Sequence, residues 1–74
     1  MSTVNTLAAA LADDVLAAQE ETGNDRLFVE IGAVLATASQ TLEEAFMTEC
    51  RIRMAEQKAR SALATALQHH RAGR

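Results

Sequence analysis

The stretch GNDRLFVEIGAVLATASQTLEEAF, residues 23–46, decides how this chain folds. Its first three residues, Gly23-Asn24-Asp25, form the clearest turn signal in the sequence. Glycine suits the left-handed position just past a helix end, and Asn24 or Asp25 is expected to cap the next helix. From Asp25 onward the apolar residues Leu27, Phe28, Ile31, Val34, Leu35, Ala38, Leu42, Ala45 and Phe46 recur at three- and four-residue spacings on one face. Val29 and Met47 add apolar surface elsewhere, so the early part reads as a helix buried from several sides. A strand over 27–35 is the competing reading, but nothing else in the chain offers it a pairing partner.

The same stretch holds the one plausible interruption. Ser39-Gln40-Thr41 are poor helix formers, and Thr41 with Glu44 has capping-box spacing. Against a break, residues 37–41 contain no glycine or proline, so an unbroken second arm is preferred and a joint near 39–41 is the alternative. Gly32 is a weaker candidate, costing about 1 kcal/mol against alanine.

Upstream, Ser2 and Thr3 can cap a first helix over about 3–22. Val4, Leu7, Leu11, Val15 and Ala18 form its stripe, widened by Ala8 and Leu16. Leu7, Leu11 and Val15 are expected to dock on a core of Phe28, Ile31, Leu35, Leu42 and Phe46. The fold class is therefore all-α: a helical hairpin with a short first helix, a turn at 23–24, a long second helix over about 25–70 and a frayed tail at 71–74. Jointed near 39–41, the same chain makes three helices.

Seventy-four residues make at most one domain, near the lower limit for an unaided core. Sixteen alanines stand against nineteen Leu, Ile, Val, Met and Phe together, so much of the apolar content favours helix while burying little surface. A lone Cys50 excludes an intrachain disulfide, which leaves oligomerisation as the expected staple. An unbroken helix over 25–70 is roughly 70 Å long against about 30 Å for the first helix. More than half of it then finds no partner in its own chain. The distal arm, with Ile52, Met54, Ala59, Leu63, Ala66 and Leu67, is the candidate interface, Ala62 joining its alanine ridge. A homodimeric bundle of coiled-coil character is the expected assembly.

Charge divides along the chain. Residues 1–49 hold nine acids and one base, Arg26; residues 50–74 hold six bases and one acid, Glu56. Ordinary i, i+4 pairs such as Glu49–Arg53 and Glu56–Arg60 account for part of this. Beyond them, Arg51, Arg53, Lys58, Arg60 and Arg71 are candidate contacts for an acidic partner, a second copy included, or for phosphate. The phosphate reading makes the chain a small nucleic-acid-associated regulator. It is the weaker one, because the whole chain is acidic at −3 and has neither tryptophan nor tyrosine for stacking.

Catalytic and metal chemistry find little footing. Arg51 and Arg53 beside Cys50 favour its thiolate, but the histidines lie about twenty residues away, and a structural cysteine is the better reading. His69 and His70 point about 100° apart on a helix and suit its C-terminal dipole better than a shared metal. The adjacent acids Asp13-Asp14, Glu20-Glu21 and Glu43-Glu44 lack the Glu-x-x-His pattern of di-metal bundles. No catalytic residue, metal or cofactor is assigned. With no basic leader and no apolar run of membrane length, a cytoplasmic protein in bacterial style is expected. Its expected work is non-catalytic protein binding, as an adaptor, small chaperone or regulatory subunit.

Overall fold

A computed structural model describes residues 2–73. Three helices succeed one another: α1 (Thr3–Thr22), α2 (Leu27–Ala38) and α3 (Gln40–Ala72), with no strand among the described residues. The chain is all-helical, in the three-helix form, and the long second helix expected over 25–70 is divided at Ser39. Helix α3 continues through Ala72, so the tail expected to fray from residue 71 is helical as far as that residue; Arg74 lies outside the described residues.

Each connection has a local cause. Ser2 caps α1, its side chain accepting from the Asn5 N–H at 3.1 Å. Gly23 closes α1 at φ 73°, the left-handed position anticipated for it, and donates its N–H to the Gln19 carbonyl. Neither Asn24 nor Asp25 caps α2. Arg26 occupies the cap position, and the orphan N–H of Phe28 is taken instead by Gln19 Oε1 of α1 at 2.8 Å. Asn24 Oδ1 accepts from the Arg26 N–H, which orders the turn itself. The second cap thus comes from across the bundle, which ties the helix start to its neighbour.

At the joint, Ser39 adopts extended backbone (φ −158°, ψ 107°) while its Oγ accepts from the Leu42 N–H at 3.1 Å. One residue ends α2 and caps α3, and the capping box expected at Thr41 and Glu44 is not used. The break is favoured because it folds α3 back on α2. Gly32 then lies so close to α3 that an added Cβ would stand 2.9 Å from Met47 Sδ and 3.9 Å from Phe46 Cε2.

The core is small and centres on the contact of α1 with α3. Ala8, Ala12, Val15, Leu16, Phe46 and Cys50 are its buried apolar residues. Leu11, Leu27, Phe28, Ile31, Leu35 and Leu42 pack against it only half-buried. Of the five residues expected as the central core, Phe46 alone is fully buried. Leu7, expected to dock, is 55% exposed, because α1 turns its Ala8–Ala12 side inward, into one buried cluster with Phe46. Helix α2 is not enclosed from several sides: Val34 is 63% exposed and Val29 38%. The Cα trace spans 55 × 30 × 14 Å, and so thin a body leaves most side chains with solvent on one side.

Candidate interaction surface

Helix α3 has two halves with different surroundings. Up to Met54 it packs against α1 and α2; from Ala55 to Gly73 every residue is exposed. At 1.5 Å per residue the bare half extends about 28 Å. Shortening the second arm by the joint at Ser39 has therefore not removed the surplus, because the last turns of α1 and the start of α2 lie near the level of Met54 to Gln57, and nothing described in the chain covers α3 beyond it. A shallow groove at that level runs between Leu16, Ala17 and Glu20 of α1 and Glu56 and Gln57 of α3.

The sequence-nominated interface residues separate by face. Met54 is half-buried against the core, on the same side of α3 as Phe46 and Cys50. Ile52 (57% exposed), Leu63 (57%) and Leu67 (43%) stand in solvent together with Ala59, Ala62 and Ala66. At about 100° per residue, the centre of this second group lies roughly 170° round the helix from the first. The arm's apolar stripe is thus on the back of α3, a surface of its own and not an extension of the bundle core.

The nominated bases also divide. Arg53 is engaged within the chain: Nε donates to Asp13 Oδ1 at 2.7 Å, one terminal nitrogen to Glu49 Oε1 at 2.6 Å and the other to the Ala9 carbonyl at 3.4 Å. These bonds push its pKa further up, hydrogen bonding to Asp13 first and to Glu49 second, so it is a permanent cation that clamps α1 to α3. Arg60 pairs with Glu56 one turn earlier, as the spacing anticipated. Arg51, Lys58 and Arg71 are exposed and make no ion pair among the described residues. His69, His70 and Arg71 occupy the last turn of α3, where positive charge suits the helix dipole.

Cys50 is fully buried, as a structural thiol should be. Burial pushes its pKa up, Glu49 adds to that, and the opposing pull of Arg53 and Arg51 does not overcome it. The activation suggested by its basic neighbours is absent for this physical reason: desolvation of a thiolate outweighs two partly solvated cations. Among the described residues no three His, Cys, Asp or Glu side chains gather closely enough to hold a metal. Among the same residues no helix is long and apolar enough to cross a membrane.

One surface is not apparent from the sequence. With Ala8 and Ala12 turned inward, the outer face of α1 presents Leu7, Ala10, Asp14, Ala17 and Glu21, all exposed. Their alternating three- and four-residue spacing is there to be read, but assigning Leu7 to the core conceals it. No family model matches this chain, and neither a curated protein nor a solved structure matches it.

Proposed function

We propose that this protein is a non-catalytic protein–protein interaction module that acts as a homo-oligomer, with the distal half of α3 as its contact surface. The observation that carries the reading is the continuous exposure of residues 55–72, in helical form, with Leu63 and Leu67 on that surface. Helices without tertiary support are marginal in water, so a free arm of this length is a costly state. Burying each exposed leucine is worth about 1.5–3 kcal/mol at full burial, enough to make a second chain a substantial stabiliser. Six buried apolar residues among those described, two of them alanine, are also a meagre core for a chain of this size. Adaptor, small chaperone and regulatory subunit are the roles such a module serves.

Light scattering tests the reading. The expected mass is at least twice the 7.9 kDa of the chain. Replacing both Leu63 and Leu67 by Glu should return it to one chain while Cys50 stays protected from thiol reagents. A monomeric wild-type protein at tens of micromolar overturns the homo-oligomer.

A further inference from the structure

Two exposed faces of this chain are complementary, and the geometry points to their mutual recognition: we infer that the back of the α3 arm docks on the outer face of α1 in a second copy, and reciprocally. The inference rests on the homo-oligomer reading and deepens it by naming the surface that covers the arm.

Charge selects the occupant. The arm beyond Met54 carries Lys58, Arg60 and Arg71 against a single acid, Glu56. Lys58 lies on one flank of the apolar stripe; Arg60 and Arg71 lie on the other, at about 100° per residue. Two arms laid against each other would bring basic flank to basic flank, which opposes association. Helix α1 carries Asp13, Asp14, Glu20 and Glu21 and no base. Asp13 is engaged by Arg53, while Asp14, Glu20 and Glu21 make no ion pair among the described residues. Arg60 is paired with Glu56, and Glu20 lines the groove between α1 and α3, so the opposite charges without internal ion pairs on the two bare faces are Lys58 and Arg71 on the arm and Asp14 and Glu21 on α1.

Shape and length agree with charge. Leu7, Ala10, Asp14, Ala17 and Glu21 form a seam of three- and four-residue steps along α1, and Ala59, Leu63, Ala66 and His70 form another along the arm. Small residues on both seams allow close approach of the helix axes, and the leucines fill the space beside them. Helix α1 has 20 residues and the arm from Ala55 to Ala72 has 18, so each covers the other from end to end. Since α1 and α3 run the same way within one chain, an arm entering from the opposite side lies antiparallel to the α1 it meets. The reciprocal contact then closes a two-fold dimer and leaves neither arm uncovered, where a one-way contact would propagate into a filament.

The test uses two charge-reversed full-length chains, one with Lys58→Glu and Arg71→Glu on the arm, the other with Asp14→Lys and Glu21→Lys on α1. Sedimentation equilibrium at low salt should show the wild-type dimer and a dimer dissociation constant raised about tenfold or more in each variant alone. An equimolar mixture should recover the dimer, because both reciprocal contacts are then again of opposite sign. Retained helicity by circular dichroism and recovery on mixing guard against misfolded variants. If the α1 variant alone dimerises as tightly as wild type, the inference is overturned and the arms pair by another surface, with the interaction-module reading intact. A monomeric wild type overturns both.

Discussion

Cys50 shows at the scale of one residue how burial overrides neighbouring charge. A thiol held neutral by the core binds its proton more tightly folded than unfolded. Its contribution to stability is therefore complete below the ordinary thiol pKa of about 8.5 and declines as pH rises past it. Urea midpoints taken between pH 7.5 and 10 should fall in the wild type, and the part due to this thiol should vanish in Cys50→Ala. A thiol reagent should modify Cys50 no faster than the bundle opens; rapid labelling under native conditions would contradict its placement. Phe46 is the other residue on which the core depends, fully buried in one cluster with Ala8, Ala12, Val15 and Cys50. Phe46→Ala should cost roughly 3–5 kcal/mol and leave the bundle largely unfolded, by thermal melting. The two roles are not equally legible. A lone cysteine on an apolar helix reads as structural, and Cys50 is buried accordingly. The inward turn of Ala8 and Ala12 is hidden, because hydrophobicity weights Leu7 above alanine whereas packing beside a phenyl ring favours the smaller side chain.

Elements are legible where chain chemistry is local. Gly23 and Ser2 punctuate α1 as expected, since left-handed backbone and a hydroxyl cap need no tertiary information. The start of α2 is not legible in the same way, because its cap is Gln19, nine residues upstream and on another helix. The joint at 39–41 is visible as a candidate, yet local propensity ranks it below an unbroken arm. Without glycine or proline the helix should continue, and that preference is offset by the Ser39 cap and by the packing of α2 on the core, where Gly32 lies close to Phe46 and Met47. A single substitution reads the joint by sign. Ser39→Ala should destabilise by about 1 kcal/mol if Ser39 caps α3, whereas in an unbroken helix alanine would stabilise. Chemical denaturation resolves a difference of that size. Gln19→Ala should cost a similar amount at the start of α2, and a neutral result there would mean that the cross-helix cap contributes nothing.

At the scale of the whole molecule, the mismatch between α3 and its partners persists after the joint is accounted for. The surplus expected from length alone is too large, since it is measured from residue 25 whereas α3 begins at Gln40. Support also ends later than expected: Met54, assigned from the sequence to the unsupported arm, is the last half-buried residue of α3 and packs against the core. The division of charge is likewise plain in the sequence. The loss of Arg53 from the free bases is not, because Asp13 is forty residues away. The molecule is thus a body held by a thin core with a bare helical arm, and the proposal is that a second chain orders that arm.

Hydrogen exchange along α3 as a function of protein concentration measures that dependence directly. Amides of residues 43–53 should exchange slowly at every concentration, since α1 and α2 cover that half of the helix. Amides of residues 58–70 should be protected at high concentration and lose protection on dilution through the dimer dissociation constant. Exchange of residues 58–70 at unfolded-peptide rates at all concentrations, or protection of both halves unchanged by dilution to a monomer, would contradict an arm ordered by a second chain.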